Sequence, residues 1–273
     1  MMKAETLIPA GEAIDLDLGR RTIGYRDADA ILYALAVGAR ASELELVFER
    51  ELRVLPTFGL TLGLWAVDAL GERGFFSSAS ALHGAQRLEV RAPLPPQGEL
   101  ELRARVPAVW DKGSAAVFEI EVSCECFRAV YSIFAPGCGG FGGERGPSAR
   151  RDPDTPPSWC ALAATSREQA VLYRLTGDRH LIHVDPEAAR AIGAERPILH
   201  GLCTAGFAVR ELAGVLGSHP WELDELEVRF TAPVLPGDPL EIQVWEPQPD
   251  GRVRFAVSTP QAVALSGGVA RFG

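Results

Sequence analysis

Apolar and polar positions alternate along much of the chain. Leu100, Leu102, Ala104 and Val106 alternate with more polar neighbours, and Phe118, Ile120 and Val122 do so against Glu119, Glu121 and Ser123. Further on, Leu240, Ile242 and Val244 repeat the pattern, followed by Val253, Phe255 and Val257. Period two with one polar face predicts antiparallel strands over a core. "PLPPQG" and "PVLPGD" predict turns entering paired strands. Helical spacing appears in "LCTAGFAVRELAGVLG", where Leu202, Ala205, Phe207, Ala208, Leu212 and Val215 predict a broad buried face. The first half is expected to hold its central helix around Phe58 to Leu70. "TSREQAVLYRLTGD" predicts a helix to Thr176, with Ser166 as cap, Val171, Leu172 and Leu175 buried, and Gly177 as stop. "DPEAARAIG" predicts a second short helix with Asp185 as N-cap and Pro186 at its first position.

The same patterns occur twice. "LHG" stands at Leu82–Gly84 and at Leu199–Gly201, and "LEVR" begins at Leu88 and at Leu226. "AILYALAVGA" from Ala30 is echoed by "AVLYRLTGD" from Ala170. Three echoes in one order imply a duplicated domain, with halves 1–145 and 146–273. Between them "APGCGGFGGERGPSARRDPDTPPSW" formally contains GxGxxG at Gly137, Gly139 and Gly142. No strand–turn–helix context follows, so it reads as a linker rather than a dinucleotide site. Asp111, Lys112 and Gly113 read as a turn, with a substrate-side or interdomain contact as the alternative.

Composition narrows the classes. The chain has 273 residues, a formal charge of −9 and a sequence pI near 5.2. Such an acidic balance argues against broad nucleic-acid binding, though a local basic groove for an anionic ligand stays open. Five cysteines without regular spacing suggest packing residues in a reducing compartment. The N-terminal stretch lacks the apolar run of a secretory leader, and Asp68 interrupts the longest apolar segment, "TFGLTLGLWAVDALG". These features lead to the expectation of a cytoplasmic location without membrane attachment.

"YRLTGDRHLIHVDP" concentrates the candidate chemistry: Asp178, His180, His183 and Asp185 lie within eight positions. Asp178, His180 and His183 form one conceivable ligand set, but the spacing lacks an HExxH frame and an evident fourth ligand. A structural polar loop is a second reading, and Asp–His acid–base chemistry a third. "RPILHGLCTAG" supports the third. A helix beginning at Gly201 would turn unpaired N–H groups toward an anion or a thioester oxygen.

Together, Tyr173–Gly177, Asp178, His183, Asp185–Pro186 and "PILHGLCTAG" resemble the (R)-specific enoyl-CoA hydratase 2 group of MaoC-like dehydratases. "ILYALAVGA", "ELRVLPTFG", "LHGAQRLEV", "PLPPQGEL" and "WDKGSAAV" extend the resemblance over nearly the whole chain. It implies an α+β double hot-dog fold: two antiparallel sheets, each around a central helix, packed as a pseudo-dimer. The first half would be degenerate and help form the acyl channel, and the second would carry the catalytic residues. The implied reaction is reversible hydration of a trans-2-enoyl-CoA to a (3R)-3-hydroxyacyl-CoA. Asp178 and His183 would activate water, and the Gly201 N–H would stabilise the thioester oxygen. His180, His200 and Tyr173 would bind or orient substrate, although a helix tyrosine is also an ordinary packing residue. No metal or cofactor is implied, CoA being part of the substrate, and association into a homodimer is expected. His180 departs from the pattern, which usually has Asn there, followed by Pro where this chain has Leu181. Neutral histidine can also both donate and accept, with a longer reach. A hot-dog acyl-CoA thioesterase and a catalytically weak acyl-CoA-binding protein are the competing readings.

Overall fold

The computed structural model describes residues 7–273, so the first six residues of the stretch read for a leader lie outside the described residues. The alternating segments form strands β1 (Leu16–Tyr25), β2 (Leu82–Val90), β3 (Gly98–Asp111), β4 (Ala115–Ser123) and β5 (Phe127–Pro136) in the first half. The second half supplies β6 (Trp159–Ala164), β7 (Leu223–Phe230), β8 (Pro239–Val244), β9 (Val253–Ser258) and β10 (Val263–Phe272). All ten join one antiparallel sheet in the order β1-β3-β4-β5-β2-β7-β10-β9-β8-β6. Read outward from the middle, each half repeats the other's order. The seam is β2 against β7, where Leu88 of the first LEVR stands opposite Leu226 of the second. A repeated segment pairing with its own copy is the signature of an isologous contact within a single chain.

The helices pack against this sheet. The first half contributes α1 (Asp27–Ala36), α2 (Leu44–Val47), α3 (Gly59–Leu62) and α4 (Trp65–Glu72). The second contributes α5 (Gln169–Tyr173), α6 (Pro186–Ala191) and α7 (Gly201–Leu216). The central helix expected over 58–70 is therefore broken into α3 and α4, whereas α7 is continuous. Leu202, Ala205, Phe207, Ala208 and Leu212 are buried on α7 as the spacing predicts, and Val215 is half-buried. This is the α+β double hot-dog architecture, two sheets fused into one around central helices. Other contacts tie the halves together. The Tyr33 and Tyr173 rings, counterparts in the YALAV and YRLTG echoes, lie 5.9 Å apart. Carbonyls at the end of α1 accept from the other half: Ala36 from Gln169 Nε2 at 2.6 Å and Val37 from Arg210 at 3.2 Å.

One helix face differs from expectation. Val171 and Leu175 are exposed and Leu172 is half-buried, while Gln169, Ala170 and Tyr173 turn inward. Only one α-helical turn forms before the backbone tightens to 3-10 geometry over Arg174–Thr176, and Tyr173 takes the core position beside Tyr33. Ser166 does not cap this helix; its backbone N–H instead donates to Gln169 Oε1 at 3.2 Å. The glycine-rich linker is pinned by Asp111, which accepts from the N–H groups of Gly113, Gly140 and Gly142 at 2.8–2.9 Å. The DKG stretch is thus both a turn and a clasp on the linker.

Candidate active site

Gly177 ends the 3-10 turn with φ 140°, a conformation glycine adopts far more readily than L residues with side chains. That turn delivers Asp178 to a cavity of about 1470 Å³ lined from both halves. Asp185 accepts from Glu187 N–H at 2.8 Å and caps α6, with Pro186 in its first turn, as its sequence context predicts. The short turn Leu181–His183 places His183 on the same cavity. Asp178, His183 and His200 each offer one ligand-type atom, all within 4.8 Å of one another.

Backbone carbonyls fix the histidine tautomers, because a carbonyl can only accept. His183 Nδ1 donates to Ile198 O at 2.9 Å, leaving Nε2 as its free basic nitrogen. His200 Nε2 donates to Asp178 O at 3.1 Å, and its Nδ1 is buried without a partner among the described residues. The two rings stack at 3.6 Å with 23° between their planes. Each lone pair stays in the plane of its own ring, and two planes stacked this closely to parallel do not converge at an ordinary metal–nitrogen distance, so one ion fits both poorly. The ligand set suggested by sequence also changes, since His180 is not in the cluster. His180 Nε2 donates to Ser78 O at 3.1 Å, and its Nδ1 accepts from Ile182 N–H at 3.4 Å. Both its nitrogens thus hold backbone, which positions the Asp178–His183 loop.

Electrostatics follow from burial. Burial pushes the Asp178 carboxyl up, but His200, His183 and the His180 N–H outweigh it and hold the group below its ordinary value. The His183 imidazole is lowered chiefly by burial, with Asp178 opposing. Burial and the neighbouring His183 push His200 down to about 3 despite Asp178. At neutral pH the cluster therefore holds a carboxylate and neutral imidazoles.

Gly201 opens α7 at the cavity wall. His200 occupies the N-cap position with extended backbone and gives no side-chain cap. The first-turn N–H groups are therefore available at the positive end of a 16-residue helix. A Cβ at Gly201 would approach the Phe230 ring to 2.6 Å, so only glycine fits there without displacement. Tyr173 lies behind the cluster rather than on the cavity: it is fully buried, with its ring 4.8 Å from His200.

The fold adds residues that sequence reasoning set aside. His83, from the first LHG, lines the cavity with its ring 4.7 Å from Phe230, and burial lowers its pKa to about 4. Asp68 also lines it, from α4. Arg87 and Arg150 reach the cavity already paired with Glu119 and Glu227 at 2.8 and 3.1 Å. Lys112, Arg145, Arg179 and Arg229 line it without an ion-pair partner among the described residues. An acidic chain thus brings four such cations to the lining of one cavity, a basic contribution to its wall. The repeated LHG was a signal for His83; the basic wall had none, because its members are scattered along the chain.

Comparison with known proteins agrees with this architecture. Residues 149–261 match the family model for the MaoC like domain, and 24–132 match the MFE-2 hydratase 2 N-terminal domain. The chain is 36% identical to a Dictyostelium discoideum protein named "Probable enoyl-CoA hydratase 2", over 89% of each chain. It is 37% identical to the enoyl-CoA hydratase ChsH3 of Mycobacterium tuberculosis, covering 93% of this chain and 97% of that one. It is also 38% identical to mouse peroxisomal multifunctional enzyme type 2, covering 81% of this chain but only 33% of that longer protein. Among solved structures, a MaoC-like dehydratase from Phytophthora capsici superposes with a TM-score of 0.87 at 26% identity, over 97% of this chain and 98% of the other. A Mycobacterium tuberculosis protein described as a double hotdog fold shares the fold alone, at 13% identity and a TM-score of 0.59 over 97% of each chain. These relatives correct the cytoplasmic expectation: those from mouse, Neurospora crassa, Drosophila melanogaster and Saccharomyces cerevisiae are named as peroxisomal enzymes. Peroxisomal addresses are read by receptors and need no apolar leader, so the polar character of the N-terminal stretch does not point to the cytoplasm. The repeated sheet, the shared cavity and these matches place the chain in the MaoC-like double hot-dog dehydratase family, related to enoyl-CoA hydratase 2.

Proposed function

We propose that the chain catalyses reversible hydration of trans-2-enoyl-CoA to (3R)-3-hydroxyacyl-CoA, with Asp178 and His183 as the acid–base pair. The observation that carries this reading is the free Nε2 of a carbonyl-locked His183 beside an ionised Asp178, at the cavity that α7 enters by its N-terminus. Water held between the two groups loses a proton to His183 Nε2 as its oxygen bonds to C3. The C2–C3 π electrons move toward the thioester, whose oxygen takes up negative charge at the Gly201 N–H. The pair then returns a proton to C2, and the C–H bond completes the hydro-lyase step. Both groups lie on one side of the substrate, which favours addition to one face.

His200 orients this site: its Nε2–H holds the Asp178 backbone and its ring supports His183. Tyr173 backs His200, and His180 holds the loop. The basic wall suits the phosphates of CoA. The division of labour follows the halves 1–145 and 146–273, supported by family matches within each. Pairing into a homodimer belongs to the same proposal, supported by Trp159 and Leu162 exposed on edge strand β6. Among the described residues no helix is long and apolar enough to cross a membrane.

Incubation with crotonyl-CoA tests the reaction. Loss of the enoyl absorbance without release of free thiol is expected. Stoichiometric thiol release points to a thioesterase instead, and binding without turnover to an acyl-CoA carrier.

A further inference from the structure

In the sequence, Asp68 merely interrupts an apolar run. In the fold it stands on α4 between two spaces. The main cavity and a second one of about 400 Å³ share Leu64, Asp68 and Gly177 in their linings. Gly177 directly precedes Asp178, so the two spaces adjoin beside the acid–base cluster. The second space is apolar along Phe58, Leu62 and Trp65. Arg21 also enters it, its guanidinium 4.9 Å from the Trp65 ring centre. Among the described residues neither Asp68 nor Arg21 has an ion-pair partner. Burial pushes the Asp68 carboxyl up, Asp178 and Glu72 add repulsion, and His180 and Arg21 oppose them.

We propose that Asp68, with Arg21 across the second chamber, selects enoyl thioesters whose acyl chain carries a hydrogen-bonding group beyond the reacting double bond, a hydroxyl being the simplest. The proposal rests on the hydratase reading above. A plain hydrocarbon tail laid along this chamber strips water from a carboxylate that has no ion-pair partner among the described residues and returns nothing to it. A tail hydroxyl donates to that carboxylate, and the chamber's apolar wall still receives the methylenes. A site that hydrogen-bonds a substrate hydroxyl discriminates strongly against the analogue lacking it, because its own polar group is then left unpaired.

The test compares trans-2-decenoyl-CoA with its terminally hydroxylated analogue. Wild type should favour the hydroxylated substrate by about tenfold or more in kcat/KM. Asp68→Leu should reverse the preference, and Asp68→Asn, which loses the charge but keeps hydrogen-bonding capacity, should bring the ratio partway toward one. A ratio that neither variant moves, or a wild-type preference for the plain chain, overturns the proposal. Calorimetric binding of the two saturated acyl-CoA analogues reads the same selectivity without turnover. Hydration of crotonyl-CoA with no tail preference sinks this inference alone. Tail preference in binding without hydration supports it and sinks the hydratase reading.

Discussion

His183, His200 and His180 each hold a backbone carbonyl through one ring nitrogen, and the consequences differ with what the other nitrogen faces. For His183 it is the proposed base. Asp178→Asn and His183→Ala should each lower crotonyl-CoA kcat by about 10²–10⁴-fold with an unchanged circular dichroism spectrum; near-wild-type turnover in either removes it from the mechanism. Because burial lowers the His183 pKa, its neutral form persists below the ordinary histidine value of about 6.5. The acid limb of kcat/KM should therefore have its midpoint below about pH 6.5. A midpoint above that value means that another group titrates. The gathering of Asp178 and His183 in one polar loop and the capping role of Asp185 were legible in one short motif, because local spacing and turn chemistry set them. The stacking of His200 on His183, and the arrival of Asp68 and His83, depend on chain segments far apart in sequence. Periodicity carries no trace of such contacts, and only the repeated LHG hinted at His83.

Among the elements, the start of α7 bears most directly on the proposed chemistry. Gly201→Ala forces its new methyl against Phe230, which itself lies against His83. Relief requires moving either the ring or the helix start, so kcat should fall by about tenfold or more, as expected when an oxyanion donor is displaced. Measuring kcat beside thermal stability separates this from simple unfolding. The linker offers an independent check. Asp111→Ala frees the Gly140 and Gly142 N–H groups, and limited proteolysis should then cut within 137–150 faster than in wild type. The α7 pattern was readable because a continuous helix buries one face along its whole length. The α5 face was misjudged because one turn is too short for periodicity to outweigh the docking of Tyr173 against Tyr33.

At the scale of the molecule, duplication was legible because the echoed segments meet: Leu88 pairs with Leu226, and Tyr33 approaches Tyr173. The fusion of both sheets along β2 and β7 was not, since strand order leaves no local pattern. The buried neutral histidines make stability depend on pH. His200, lowered to about 3, binds its proton more tightly when unfolded, so stability is complete above about pH 6.5 and declines as pH falls toward the folded value. Between pH 7 and pH 4.5 this group alone should cost on the order of 2 kcal/mol, read as a lower urea midpoint. A midpoint flat over that range contradicts the buried-neutral assignment. In the proposed mechanism one Asp–His pair on one side of the substrate handles both the water and the C2 proton. Hydration of crotonyl-CoA in heavy water, followed by NMR and chiral analysis of the product, tests it directly. The expected product carries a (3R)-hydroxyl and one deuterium added at C2 on the same face. A (3S) product, or deuterium on the opposite face, contradicts the mechanism.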